Sequence, residues 1–130
     1  MTPFGLFLES IRRNRHLHQV QLADRLGVNS CYVSAIENGK KGPPSKPILE
    51  KLISELNLDA QEQELLWDYV DQSQRTIRLP EDATPEEYTL MRDIRRHLGA
   101  LSIEQIDIIR NTLKLSGQAQ TKPRIEVRSI

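Results

Sequence analysis

The chain has 130 residues, of which 38% are hydrophobic, and its 18 basic side chains balance 18 acidic ones. This length suits one or two small domains, and no apolar run approaches the roughly 20 residues that a membrane-spanning helix needs. Cys31 is the only cysteine, which excludes an internal disulfide and a zinc site built from cysteines. Because the N-terminus lacks a basic stretch followed by an apolar one, we expect a cytoplasmic protein.

The zero net charge hides a segregation of charge along the sequence. Residues 1–46 carry +4, residues 47–87 carry −8, and residues 88–130 carry +4. A basic segment at one end can steer a neutral chain onto phosphate, because the local field matters more than the total charge. Charge alone does not distinguish a phosphate-binding segment from acidic and basic helices that merely keep each other soluble.

The first predicted helix begins at Pro3, with Thr2 as its cap, since the N–H that proline lacks would be unpaired there. Apolar residues at helical spacing continue it: Phe4, Phe7, Leu8 and Ile11. Basic residues follow at Arg12, Arg13 and Arg15. His16 and His18 are interpreted as a solvated surface pair, because no nearby carboxylate or cysteine cluster completes a metal site.

Residues 19–39 have the spacing of two short helices separated by a glycine. The first helix is expected to turn Val20, Leu22, Ala23 and Leu26 inward, and Gly27 to cap it in the left-handed conformation. Asn29 is expected to cap the second helix, whose buried stripe is Val33 and Ile36. The alternative is a generic helix pair in a bundle. The suitable residue type at each constrained position favours a helix-turn-helix.

Two further helices are predicted after this motif. Residues 40–47 contain one glycine and three prolines and are predicted to be a loop. A fourth helix is predicted over residues 48–56, and the capping-box pair Asp59 and Glu62 is predicted to open a fifth. The inner face of the fifth helix is expected to hold Leu65, Leu66, Tyr69 and Val70. Residues 74–84 are predicted to be a linker, with a short extended segment at 76–79 as an alternative.

The last part of the sequence predicts a helical hairpin over residues 85–117. Thr84 and Pro85 are typical of a helix start, Gly99 of a stop, and Ser102 with Gln105 of a second start. Such a hairpin buries little surface alone, so we expect it to form a homodimer; the alternative is that it packs on the first domain. Residues 118–130 are predicted to be a flexible tail, although residues 125–128 alternate like a strand.

The sequence resembles the Cro/C1-type (XRE-like) DNA-binding domains of phage repressors and bacterial regulators. The resemblance rests on Gln19, Leu22-Ala23, Leu26-Gly27-Val28 and the run from Val33 to Lys40, and it covers roughly residues 3–72. It implies an all-α protein, in which a five-helix lambda-repressor-like domain over residues 1–73 precedes the hairpin. It also implies double-stranded DNA as the partner, with residues 30–37 in the major groove.

Position by position, the resemblance assigns roles to individual residues. Base contacts are implied for Ser30, Cys31, Tyr32, Ser34 and Ala35, and phosphate contacts for Gln19, Asn38, Lys40, Lys41 and, more weakly, Arg12. None of the base-facing residues offers the bidentate pairing of arginine or glutamine, so we expect a modest direct readout supplemented by DNA shape. His18 departs from the family pattern, in which a serine or threonine cap precedes the glutamine.

We therefore predict a sequence-specific transcriptional regulator, a dimeric repressor or autoregulator of bacterial or phage origin that is nucleoid-associated when bound and needs no cofactor. The alternative is an antitoxin of the same fold, whose hairpin binds a toxin protein. An enzyme is not expected. The 58 residues after residue 72 are too few for the autoprotease domain of some phage repressors, and no phosphate loop or nucleophile–base constellation is present.

Overall fold

The computed structural model describes residues 1–117, which are helical and contain no strand. Within that range the helices are α1 (Pro3–Asn14), α2 (Gln19–Leu26), α3 (Ser30–Glu37), α4 (Lys46–Glu55), α5 (Ala60–Gln72), α6 (Pro85–His97) and α7 (Ile103–Gly117). The chain divides into two compact units, Met1–Ile77 and a second that begins at Arg78. The all-α prediction is confirmed. The predicted tail at 118–130 lies outside the described residues.

Side-chain caps set most of the helix starts. The Thr2 hydroxyl accepts a hydrogen bond from the Gly5 N–H (3.0 Å), and the Asn29 carboxamide oxygen accepts one from the Cys31 N–H (2.7 Å). Asp59 and Glu62 each accept from the other's backbone N–H, as the capping box predicts. These short-range signals explain why α1, α3 and α5 begin where the sequence predicts.

Helix α4 starts two residues earlier than predicted. The loop prediction over residues 40–47 was wrong at its end, because Lys46 and Pro47 already belong to the helix. Pro47 occupies the first turn, where its missing N–H costs nothing and its fixed φ suits the helix. Pro47 closely follows Pro43 and Pro44, so it was interpreted as a loop residue, although it belongs to the start of α4.

The first unit is built around one hydrophobic core. Helix α1 packs against α3 and α5, and α2 packs against α3 and α4. Phe4, Leu22 and Leu66 are fully buried, and the rings of Phe7 and Tyr69 lie 5.3 Å apart between α1 and α5. Leu65 was predicted to face inward but is exposed, because the inner stripe of α5 runs through Leu66, Tyr69 and Val70.

Ser73 joins the two ends of this unit. Its hydroxyl accepts a hydrogen bond from the Phe4 N–H (2.9 Å) and donates one to the Tyr69 carbonyl (2.7 Å). The Phe4 N–H lies in the first turn of α1, where helix geometry leaves it without an intrahelical acceptor. A buried side chain 69 residues away therefore satisfies it.

Arg15 connects α1, α4 and α5. Its Nε donates to the Leu56 carbonyl at the end of α4 (2.9 Å), and both terminal nitrogens donate to the Glu62 carboxylate (3.1 and 2.8 Å). The hydrogen bond from Arg15 lowers the pKa of Glu62, and the bond from the Asp59 N–H lowers it further. The ionised form of Glu62 therefore stabilises the fold above its ordinary titration range, and this contribution is lost as the pH falls through the lowered pKa.

The second unit contains α6 and α7. Thr84 and Glu87 form a capping box at the start of α6, and Gly99 occupies the left-handed region (φ 93°) after its end. No side chain in residues 78–115 is fully withdrawn from solvent, and most of the apolar ones are exposed. None of the described helices is both long and apolar enough to cross a membrane.

Candidate nucleic-acid interface

Helices α2 and α3 cross closely because the residues between them are small or fully buried. Ala23 and Leu22 on α2 pack against Val33 and Ile36 on α3. Gly27 joins the helices at φ 72°, a conformation that costs a residue with a Cβ more. Val20, in contrast, was predicted to face inward and is exposed. The crossing therefore leaves one face of α3 outside the core.

That outer face of α3 carries the residues predicted to contact bases. At 100° per residue, Cys31, Ser34 and Ala35 lie opposite Val33 and Ile36, while Ser30 and Tyr32 lie at the edges of this face. Cys31 is exposed and the other four are half-buried: Ser30, Tyr32, Ser34 and Ala35. The ring of Tyr32 also packs against the core, so its hydroxyl is the part available to a ligand. The structure places all five on one helix, and their base contacts stay a prediction.

A buried ion pair holds the end of α3 against α1. Arg12 Nε lies 2.7 Å from Glu37 Oε2, and Arg12 Nη2 lies 3.0 Å from Glu37 Oε1. The two side chains are only 9% and 5% exposed. Arg12 Nη1 also donates to the Leu17 carbonyl (2.8 Å). The hydrogen bonds to Glu37 raise the pKa of Arg12 against the opposing effect of burial.

Gln19 extends this ion pair to α2. Its amide Nε2 donates to Glu37 Oε1 at 2.9 Å. Arg12 on α1, Gln19 on α2 and Glu37 on α3 therefore form a three-helix network that fixes the orientation of α3. Gln19 braces the last residue of α3, and its second amide hydrogen has no protein partner among residues 1–117. Its phosphate contact stays a prediction.

The guanidinium of Arg12 is held by protein partners. It was predicted as a phosphate contact, but Glu37 and the Leu17 carbonyl occupy three nitrogens of its guanidinium, and the side chain is buried. A phosphate would have to displace a carboxylate that is already in place. These bonds hold α3 against α1, and a phosphate contact of Arg12 stays a prediction.

The turn after α3 carries the remaining predicted phosphate contacts. Asn38, Lys40 and Lys41 are exposed, and Gly39 between them is buried at φ 86°. A Cβ on Gly39 would lie 2.6 Å from Met1 Cα, so a larger residue at this position would clash with the backbone of Met1. The carbonyl of Gly39 accepts a hydrogen bond from the Arg75 guanidinium, which reaches the turn from the segment after α5.

Sequence reasoning missed three residues that position α3 and the turn after it, and only one of them left a local signal. Gly5 interrupts the apolar pattern of α1, which indicates a close backbone approach. A Cβ there would lie 2.5 Å from the Ile36 carbonyl oxygen, so α1 and α3 touch backbone to backbone. Glu37 and Arg75 contact partners 25 and 36 residues away, and no periodic pattern marks such pairs. Among residues 1–117 no group of three or more potential ligands is placed to hold a metal ion.

This geometry is that of a helix-turn-helix, in which α3 is partly exposed and α2 packs against its inner side. Residues 3–66, which are 64 of the 130, match a family model described as a helix-turn-helix domain. The match covers just under half of the chain and supports the resemblance of this domain to XRE-like helix-turn-helix domains.

Curated relatives agree with this assignment. The chain is 43% identical over 58 residues to the "Uncharacterized HTH-type transcriptional regulator RghRB" of Bacillus subtilis (strain 168), covering 45% of this chain and 42% of that protein. It is 40% identical over 58 residues to the "HTH-type transcriptional repressor RghR" of the same organism, covering 45% and 43%. The "ImmF control region 10 kDa protein" of Bacillus phage phi105 is 36% identical over 55 residues, covering 42% and 60%.

The matched region spans less than half the length of the first two relatives. No solved structure matches the chain significantly. The names of these relatives describe a regulator, a repressor and a phage control region, and they give no support to the antitoxin alternative.

Proposed function

We propose that the chain is a sequence-specific transcriptional regulator that inserts α3 into the major groove of DNA. The observation that carries this proposal is the three-helix network of Arg12, Gln19 and Glu37. It fixes a short helix whose outer face is polar or small and unoccupied by the core. The names of the relatives support the same function.

The residues of α3 favour a modest reading of base edges. Ser30 and Ser34 can donate or accept, the Tyr32 hydroxyl can bond a base or a phosphate, and Cys31 and Ala35 can touch a thymine methyl. Asn38, Lys40 and Lys41 supply phosphate contacts at the end of the helix, which set the register of the protein on the duplex. DNA shape then contributes the rest of the specificity.

Selection of bound fragments from genomic DNA tests this proposal. We expect a recurring motif that the full chain binds at least about 1,000-fold more tightly than random duplex of equal length. Affinity should fall steeply between about 50 and 200 mM salt. If no fragment outcompetes random DNA in an anisotropy titration, the protein is not a sequence-specific regulator.

Two variants separate base contacts from backbone contacts. Lys40→Ala should weaken binding to all sequences alike and reduce the slope of log affinity against log salt by about 1, because one phosphate contact is lost. Tyr32→Phe keeps the packed ring and removes only the hydroxyl, so it should change discrimination among single-base variants of the site by about 1 kcal/mol. Competition titrations with the selected site and its variants measure both. Equal loss on every sequence for Tyr32→Phe would contradict its base contact.

We also propose that the second unit forms a homodimer, so that two α3 helices bind two half-sites of a partly palindromic operator. Two short helices cannot bury enough apolar surface to be stable alone. In residues 78–115 the large apolar side chains at 88, 90, 98, 103, 106 and 108 are 40–73% exposed. Pairing two such hairpins gives a four-helix bundle, which encloses these faces in a common core.

Ile106→Glu tests the dimer. Ile106 lies on the apolar stripe of α7 with Ile103 and Ile109, and a carboxylate buried in a bundle core without a partner is strongly unfavourable. Sedimentation should show a shift from dimer to monomer, and operator binding should weaken roughly 100-fold through loss of bivalency.

Asn111→Glu is the matched control, because Asn111 lies on the polar side of α7 and is exposed. It should stay dimeric and bind the operator as the unmodified chain does. A monomeric unmodified chain, or an unchanged mass for Ile106→Glu, would contradict this assignment. If the mass exceeds that of a dimer only when another protein is added, that protein binds the apolar face of the hairpin in place of a second copy of the chain.

A further inference from the structure

Arg75 lies beside the turn that ends the recognition helix, although it belongs to the segment after α5. Its Nη2 donates to the Gly39 carbonyl, and the side chain is otherwise exposed. Arginine has five N–H donors, so this contact leaves four of them. Within residues 1–117, no carboxylate forms an ion pair with Arg75. A guanidinium with unused donors therefore lies next to the end of α3.

The backbone of the turn has no N–H left for a ligand. Asn38 N–H donates to the Ser34 carbonyl, Gly39 N–H to the Ile36 carbonyl, and Lys41 N–H to the Ala35 carbonyl, at 3.0–3.1 Å. The remaining donor, the Lys40 N–H, bonds the Asn38 side-chain oxygen at 2.9 Å. An anion that approaches this turn must therefore be bound by side chains.

Three cationic side chains lie at this turn, whose backbone N–H groups all have acceptors within the protein. Lys40 and Lys41 follow Gly39 directly in sequence, and Arg75 contacts the Gly39 carbonyl itself. None of the three forms an ion pair with a carboxylate among the described residues. The two lysines are flexible point charges, whereas the guanidinium of Arg75 is a planar fork that contacts the Gly39 carbonyl. A phosphodiester oxygen suits this combination of charge and donor geometry.

We propose that Arg75 is a further DNA-phosphate contact, which bridges the turn after α3 to the DNA backbone. This inference rests on the proposed function and deepens it by adding one residue to the surface. One N–H holds the Gly39 carbonyl, and other N–H groups of the same guanidinium donate to a phosphate oxygen. The contact that orients the turn thereby also anchors the end of α3 on the duplex.

Arg75→Gln and Arg75→Lys in the full chain test the proposal. Glutamine keeps a donor for the Gly39 carbonyl but removes the charge, so the slope of log affinity against log salt should fall by about 1. Binding should weaken roughly fivefold at about 0.15 M salt on every duplex. Lysine keeps the charge without the fork, so the slope should be retained with a smaller loss of affinity. The duplexes are the selected site and a random sequence of equal length.

Lys51→Gln is the matched control for the loss of one positive charge. Lys51 is exposed on α4, and its ammonium lies 3.4 Å from where a Cβ on Gly27 would be, at the other end of α3 from the turn. It should keep the salt slope of the unmodified chain. A lower melting temperature with an unchanged slope for Arg75→Gln would show a purely structural contact and overturn the proposal. An unchanged slope and affinity would overturn it as well.

Labelling of arginines in the unmodified chain gives a second measurement that needs no variant. Phenylglyoxal should modify Arg75 in the free protein, and saturating duplex should protect it, as mass spectrometry of the peptides reports. Equal labelling with and without DNA overturns the phosphate contact. If the unmodified chain binds no DNA, the proposed function itself fails. If it binds DNA and Arg75 is neither protected nor needed for the salt slope, only this inference fails.

Discussion

Arg12→Ala is expected to lower the free energy of unfolding by about 3–5 kcal/mol. The substitution leaves the Glu37 carboxylate buried with one remaining side-chain donor, Gln19 Nε2, in place of the two guanidinium nitrogens that now face it. It also removes the donor to the Leu17 carbonyl. Chemical denaturation followed by circular dichroism measures the loss, which approaches the whole stability of a small domain.

Arg13→Ala is the control on the same helix. Its ion pair with Glu9 spans one helical turn, and the arginine is 70% exposed, so solvent screens the interaction. Its removal should change the free energy of unfolding by no more than about 0.5 kcal/mol. A double variant, Arg12→Met with Glu37→Leu, removes both charges and should regain much of the lost stability. Equal, small effects of Arg12→Ala and Arg13→Ala would show that the buried pair does not hold α3.

Gly5→Ala is expected to destabilise the first unit by about 1–3 kcal/mol, although alanine is normally the better helix former by about 1 kcal/mol. A Cβ on residue 5 would lie 2.5 Å from the Ile36 carbonyl oxygen and 2.9 Å from that of Glu37. Both atoms are backbone of α3, so neither can swing aside as a flexible side chain would. Relief requires α3 to move away from α1.

The same movement should weaken DNA binding, because α3 carries the residues proposed to contact bases. Thermal unfolding and titration with the selected duplex measure the two effects on one sample. Gly42→Ala is the matched control, since nothing lies within 4 Å of a Cβ there. It should leave stability unchanged or raise it by up to about 1 kcal/mol. A Gly5→Ala protein as stable as the unmodified chain would contradict the close contact of α1 with α3.

The parts of this fold that the sequence predicts are those set by short-range rules. Thr2, Asn29 and the Asp59–Glu62 pair act within three residues of themselves, so their patterns can be interpreted without a structure. The outward face of α3 likewise follows from helical period once Val33 and Ile36 are placed inside. Pro47 shows the limit of these rules, because proline suits a loop and the first turn of a helix equally well.

Long-range pairing of charges could not be predicted in the same way. The basic run at Arg12, Arg13 and Arg15 looks uniform in sequence, yet each arginine has a different partner. Arg12 pairs with Glu37, Arg13 with Glu9 and Arg15 with Glu62. Which of them is buried depends on how α3 and α5 pack on α1, and that is a property of the assembled unit. The sequence therefore did not indicate that Arg12 is the buried one of the three.

The hydrogen bonds of Ser73 have a consequence for how the protein is made. Phe4 leaves the ribosome long before Ser73, which is 69 residues further along the chain. The Phe4 N–H therefore lacks its Ser73 acceptor until nearly all of residues 1–77 have been synthesised, and native contacts so distant in sequence slow folding. A nascent chain that has released α2 and α3 alone already contains the helix-turn-helix sequence. It still lacks Ser73, which accepts the hydrogen bond from the Phe4 N–H.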